Sequence, residues 1–211
     1  MVDVSNNMQA GYDQVASQYA QQYLSEFDHK PIDRALLDEF AARVSDGDAC
    51  DLSCGPGQLA RYLHDHGVNV FGLDISPGMI KEARQAHPGI KFIQGDIRDL
   101  DLPDASLAGI AAFYSLIHLP REEVTGVLKE LRRSLKPGGV LLLSFHKGNE
   151  IVHLQEFFDK PVSLDFIFFE TDEMVNYLEA AGFNIEEIVE RPAYLEVEYP
   201  SERVYILAAN P

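Results

Sequence analysis

The chain has no tryptophan, only two cysteines, and half as many cations as anions: 17 Lys and Arg against 34 Asp and Glu, for a formal net charge of -17. So little positive charge leaves no broad cationic face to neutralise phosphates and release their counterions, which argues against nucleic acid or an anionic membrane as a partner. Cys50 and Cys54 are four residues apart. On a strand that spacing spans about 13 Å, too far for a disulfide without a sharp bend. With no histidine cluster at ligand spacing they also make poor metal ligands, so they read as reduced, buried thiols and no metal is expected. No apolar run is long enough to cross a bilayer. The first twenty residues, "MVDVSNNMQAGYDQVASQYA", lack the basic start and apolar core of a secretion signal, so a cytoplasmic location is expected.

What the chain does have is 211 residues, 46% of them hydrophobic, which suits one domain with a core that needs no staples. Residues 5–23 place Tyr12, Val15, Tyr19 and Tyr23 at helical spacing, and Pro31 opens a second helix. From there short apolar runs alternate with amphipathic ones. "DACDLS", "VNVFGLD", "IKFIQGD", "SLAGIAAFYS" and "VLLLSFH" read as strands, while "GQLARYLHDHG", "SPGMIKEARQAH" and "REEVTGVLKELRRSL" read as helices. Ser76 is placed to cap the second of these helices, with Pro77 at its first position. After His146 the pattern breaks into a phenylalanine-rich stretch holding one candidate strand, "VSLDFIFF". Then come a helix "TDEMVNYLEAAG" capped by Thr171 and two closing strands that look antiparallel. This alternation predicts an α/β fold: a doubly wound, mostly parallel seven-stranded sheet with helices on both faces and an antiparallel terminal strand.

In such sheets ligands bind beyond the carboxyl ends of the strands, at the switch point. The first strand ends in "DLSCGPG", Asp51 to Gly57. Gly55 and Gly57 let main chain approach a ligand without a Cβ, and the amides opening the next helix can face an anion. Gly55, Gly57 and Ala60 also fit the dinucleotide pattern G-x-G-x-x-A, and Asp74 falls about 20 residues on, where an acid grips ribose hydroxyls. Alone, this fits NAD as well as any other adenosine ligand, or a glycine turn needed only for strand–helix packing.

The order of several stretches separates these readings. "ACDLSCGPGQLARYL", "VFGLDISPGMIKEAR", "IQGDIRDLDLP", "AFYSLIHLP", "LRRSLKPGGVLLLSFH" and "LEAAGFNIEEI" together resemble, over residues 10–210, a class I S-adenosylmethionine-dependent methyltransferase of the small-molecule type, a Rossmann-like fold. One departure stands out: the familiar loop reads D-x-G-C-G-x-G, and here Ser53 holds the slot of its first glycine. A serine is tolerated if its dihedrals are strand-like, and that is the expectation.

The resemblance implies S-adenosylmethionine as cofactor, with S-adenosylhomocysteine as product. It implies Asp51 ordering the loop and the ligand's ammonium group, Gly55 and Gly57 lining its methionine part, and Ser53 offering a hydroxyl there. Asp74 would accept from the ribose, Ile75 and Met79 would wall the adenine, Asp96 would accept from the adenine amino group, and Ile97 would flank the ring. Phe113 would sit near the sulfonium, and Tyr12 and Tyr19 would close over the ligand, in N-terminal helices 5–44 that act as a lid. Methyl transfer to a carbon or hydroxyl also needs a base, and His146 and His118, after strands five and four, are the catalytic candidates. Residues 147–170 would shape the site of a small-molecule acceptor, with Asp165, Tyr194 and Glu198 as polar contacts. The competing classes are an NAD-dependent oxidoreductase and a domain that binds the nucleoside without turnover.

Overall fold

A buried parallel strand must satisfy apolar neighbours on both faces, and the longest apolar run does so by strict alternation. The computed structural model describes residues 4–44 and 47–211, with side chains described from residue 7 onward. In β5 (Leu135–His146), Leu141, Leu143 and Phe145 enter one core and Val140 and Leu142 the other. The first core is covered by α5 (Arg121–Ser134) and α6 (Thr171–Ala181). The second is covered by α2 (Pro31–Arg43), α3 (Gln58–Asp65) and α4 (Pro77–Ala86).

The remaining strands are β1 (Asp48–Leu52), β2 (Asn69–Asp74), β3 (Lys91–Gln94), β4 (Leu107–Phe113), β8 (Asn184–Arg191) and β9 (Arg203–Ala209). The sheet order is β3-β2-β1-β4-β5-β9-β8, with β1 pairing β2 on one side and β4 on the other. The chain therefore reverses direction of progress across the sheet between β1 and β4, which opens a crevice above their carboxyl ends. β9 runs antiparallel to both β5 and β8. The fold is the seven-stranded, mostly parallel sheet with one antiparallel strand that the sequence predicts. An irregular segment, not a helix, joins β3 to β4.

Two local expectations are corrected. The segment after β5 holds two strands, β6 (Ile151–Phe157) and β7 (Lys160–Ile167), paired as a separate antiparallel hairpin. Its two-residue tip is Phe158 and Asp159, both at positive φ (51° and 57°). That is the geometry of a tight hairpin turn usually signalled by Asn-Gly, and without that signal the turn was invisible in sequence. Thr171 is the first residue of α6 rather than its cap; Glu170 holds the cap position, and the Thr171 hydroxyl donates to Glu190. Cys50 and Cys54 are both free and buried. Among the described residues no helix is long and apolar enough to cross a membrane.

α1 (Val4–Tyr23) lies over the carboxyl edge, held by Asp13. One oxygen of that carboxylate accepts from the Ser76 hydroxyl at 2.5 Å and from the Gly78 amide at 2.8 Å, so α1 is docked on the first turn of α4. α2 sits close against β4: a Cβ added at Gly109 would lie 2.4 Å from Val44 and 2.7 Å from Phe40. Gly109→Ala is expected to cost about 2 kcal/mol by forcing α2 off the sheet, measured as a lower urea midpoint; an unchanged midpoint would mean that α2 packs elsewhere.

Candidate functional site

β1 leaves the sheet at Leu52, and left-handed residues then turn the chain: Ser53 (φ 57°), Gly55 (φ 53°) and Gly57 (φ 86°), which caps α3. The expectation for Ser53 is therefore wrong. It takes the left-handed conformation that glycine adopts freely and that an L-residue adopts at a cost of about 1–2 kcal/mol. The loop is held by the two acids that flank it. Asp51, at the end of β1, accepts from the Ala60 amide at 2.9 Å in the first turn of α3. Asp74, at the end of β2, accepts from the Gly55 amide at 2.9 Å through one oxygen and from the Ser76 amide at 2.8 Å through the other. Burial raises the Asp74 carboxyl to about 6 in spite of both amides. Burial also pushes Asp51 well up.

This loop opens onto a cavity of about 400 Å³ in the crevice. The structure brings Asp51, Ser53 and Gly55 to its wall from the loop, and Asp74, Ile75 and Met79 from the β2–α4 turn. Asp96 and Ile97 reach it after β3, Phe113 and His118 after β4, His146 from β5, and Tyr12 and Tyr19 from α1. Gly57 is the exception. It lies outside this wall, and a Cβ there would meet Phe92 at 2.7 Å, so its lack of a side chain serves packing between α3 and the sheet. His87 is buried beside Phe92, with neither ring nitrogen hydrogen-bonded. Asp96 accepts from the Arg98 amide at 2.9 Å, which fixes its carboxylate at the end of β3.

The two candidate histidines are both held uncharged. His118 Nδ1 lies 2.6 Å from the Asp165 carbonyl, which can only accept, so Nδ1 carries the proton. Nε2 is then free to accept, and the Tyr12 hydroxyl lies 2.7 Å away. Burial lowers His118 to about 4. His146 Nδ1 lies 2.8 Å from the Ser201 hydroxyl, and the ring stacks on Phe168 with centroids 4.8 Å apart. Burial, helped by the nearby positive charge of Arg203, lowers His146 to about 3.

Facing the cofactor-type wall is an aromatic cover. Tyr19 packs edge-on to Phe157 and Phe158 at the tip of the β6–β7 hairpin, so α1 and the hairpin meet over the loop. Beyond it lies a charged end that sequence reasoning missed except for Glu198. Lys30, Asp33, Glu198 and Arg203 all reach the cavity, and the Tyr114 ring there lies 5.0 Å from that of His146. Lys30 hides as the residue before a helix-opening proline, and Arg203 as the first residue of an apolar strand; only a charge heading a buried run marked either. Asp165 and Tyr194, the other expected polar contacts, are not in this wall. Asp165 binds His153, and Tyr194 lies under the Arg191 guanidinium. Among the described residues no group of acids, histidines and cysteines is set to hold a metal.

Residues 49–139 match the family model described as "Methyltransferase domain". A malonyl-[acyl-carrier protein] O-methyltransferase of Serratia marcescens is 37% identical over 94 residues, 44% of this chain and 36% of that protein. A probable S-adenosylmethionine-dependent methyltransferase of Mycolicibacterium smegmatis is 29% identical over 158 residues, 72% of this chain and 58% of its own length. The chain thus spans about a third to three fifths of the curated relatives it matches here. Among solved structures, that of DhpI in complex with SAH superposes with a TM-score of 0.75 at 23% identity, covering 97% of this chain and 96% of that one.

Two outcomes follow from this geometry. Ser53→Gly relieves the left-handed serine and is expected to raise stability by about 0.5 kcal/mol, net of the added freedom of the unfolded chain; a loss of stability in urea denaturation would show that the Ser53 side chain holds the loop. His118 is neutral when folded and has its ordinary value of 6.5 when unfolded, so between these values the unfolded chain binds more protons and stability falls with falling pH. His118→Phe should remove about 2 kcal/mol of the stability difference between pH near 7 and near 4.5. An undiminished pH dependence in the variant would contradict the buried, neutral imidazole.

Proposed function

We propose that the chain is a class I S-adenosylmethionine-dependent methyltransferase that transfers a methyl group from S-adenosylmethionine to a small organic acceptor, a reading supported by the methyltransferase family model over residues 49–139 and the methyltransferase relatives. The observation that carries the proposal is the pairing of Asp74 with Gly55. A buried carboxylate at the tip of β2 touches the turn that leaves β1, and both face one cavity at the switch point. The residues fit an adenosyl ligand. Gly55 presents bare main chain at positive φ to the cavity, Asp74 offers acceptor oxygens suited to ribose hydroxyls, and Ile75, Met79 and Ile97 give apolar faces for a purine, with Asp96 beside them. When bound, the sulfonium supplies an electrophilic methyl and a good leaving group.

The chain's own residues would then align the acceptor and exclude water, and such orientation can supply several kcal/mol of barrier reduction. Tyr19 with Phe157 and Phe158 covers the loop, so α1 and the hairpin of 147–170 serve as lid and acceptor wall. His118 is the better placed base: its Nε2 lone pair already holds the Tyr12 hydroxyl, which can hand a proton inward as it takes one from the acceptor. His146 is the alternative, with Ser201 on its Nδ1. Both are poor proton acceptors in this burial, at about 4 and about 3. A base so weak gives little driving force, so the cavity suits an acceptor that ionises readily or arrives ionised. The acidic composition fits a small metabolite better than a polyanion.

Calorimetry with S-adenosylhomocysteine and with NADH tests this directly. The homocysteine form should bind and NADH should not, and Asp74→Ala should weaken binding at least about tenfold by removing charge-assisted ribose contacts. Binding of NADH alone, or full affinity in the variant, would overturn it.

A further inference from the structure

The part of the cavity lined by Glu26, Lys30, Asp33, Glu198 and Arg203 is built unlike a plain apolar pocket. Six charges are withdrawn from water there. Arg191 donates to Asp33 at 2.7 Å and to both oxygens of Glu198 at 2.7 and 2.8 Å, Lys30 pairs with Glu26 and lies 3.3 Å from Glu198, and Arg203 Nε lies 3.4 Å from Glu198. Three cations meet three carboxylates, so the cluster is neutral overall; burying it costs desolvation that apolar packing would have avoided.

Its hydrogen bonding is incomplete, and on the donor side. The Tyr114 hydroxyl is inaccessible to water and has no partner, and neither does Arg203 Nε at hydrogen-bond distance and angle. An orphaned buried polar group costs about 1–3 kcal/mol. Tyr114 is also left-handed at φ 54°, a second cost at the same residue. Its ring lies 5.0 Å from that of His146, and both line the cavity together with Lys30 and Arg203. The same cavity is also lined by apolar side chains, Ile117, Leu154, Phe166 and Phe168.

We propose that the methyl acceptor is a carboxylic acid on an apolar body, its carboxylate received by the Tyr114 hydroxyl and Arg203 Nε beside Lys30, its body against Phe166 and Phe168. This rests on the methyltransferase reading above and names its substrate class. The orphaned groups can donate, and a hydrogen bond from the Arg203 guanidinium to a carboxylate is charge-assisted and roughly twice as strong as one to a neutral carbonyl, which favours an anion. The paired carboxylates of Glu26, Asp33 and Glu198 are already spoken for by Lys30 and Arg191, so the cluster recognises the anion by oriented donors rather than by net charge. The chain as a whole, at a formal net charge of -17, gives no help in attracting it, so affinity must come from these contacts.

The test uses the full chain saturated with S-adenosylhomocysteine and titrated calorimetrically with aryl carboxylates, benzoate, cinnamate and 4-hydroxybenzoate, and with the amide of each. At least one acid should bind, at least about tenfold more tightly than its amide. Tyr114→Phe, which removes one oxygen from the orphaned position, should weaken that acid about tenfold and leave affinity for S-adenosylhomocysteine unchanged. Amides binding as well as acids, no binding by any acid, or an unaltered acid affinity in Tyr114→Phe would overturn the carboxylate assignment. Failure of the wild-type chain to bind S-adenosylhomocysteine would instead strike the underlying methyltransferase reading.

Discussion

Asp74 is the group on which the rest of the site depends. Its carboxylate is removed from water at the tip of β2 and is kept there by two main-chain amides, Gly55 from the loop after β1 and Ser76 at the start of α4. Ser76 in turn caps α4 by accepting from the Met79 amide at 3.0 Å and donates to Asp13 of α1. One carboxylate thus ties two strand ends, a helix start and the covering helix into a fixed arrangement. Burial raises its ordinary value to about 6, so the ionised form near neutral pH is held at some cost, and donors that reach it are correspondingly welcome.

The cavity divides by chemistry along the sheet. On the β1–β2 side the walls are bare main chain, two acids and aliphatic side chains, a surface matched to a nucleoside with a positively charged tail. On the β4–β5–β9 side the walls are aromatic and lead to a neutral but incompletely bonded ionic cluster. Of the two histidines, His118 has both ring nitrogens engaged, by a main-chain carbonyl and the Tyr12 hydroxyl, and His146 has one, by Ser201. Low proton affinity at both is a direct result of the dry, aromatic setting. The same dryness strengthens every polar contact made inside.

Much of this was legible before any coordinates. Strand and helix alternation gave the sheet, because buried parallel strands read as continuous apolar runs and Ser76-Pro77 is an unambiguous helix start. The positions of Asp51, Gly55, Asp74 and Asp96 followed from each lying where a strand ends. Two kinds of feature escaped. Backbone conformation is poorly encoded when a non-glycine is forced left-handed, which hid Ser53 and the Phe158–Asp159 turn and with it the β6–β7 hairpin. Long-range charge pairing is not encoded locally at all: Lys30, Glu198 and Arg203 are separated by well over a hundred residues of chain from one end to the other, and only the sheet order brings them together. Gly57 shows the converse error, a glycine that fits a ligand pattern but is required by Phe92.

The central claim is that the turn at the exit of β1 and the acid at the tip of β2 together hold an adenosyl ligand. A crystal structure of the chain soaked with S-adenosylhomocysteine tests it most directly. The account predicts ribose hydroxyls within hydrogen-bond distance of Asp74, the purine between Ile75 and Ile97, and the sulfur directed toward Phe113. The compound seated away from Asp74, or absent from the crevice in a crystal that leaves it open, would contradict it.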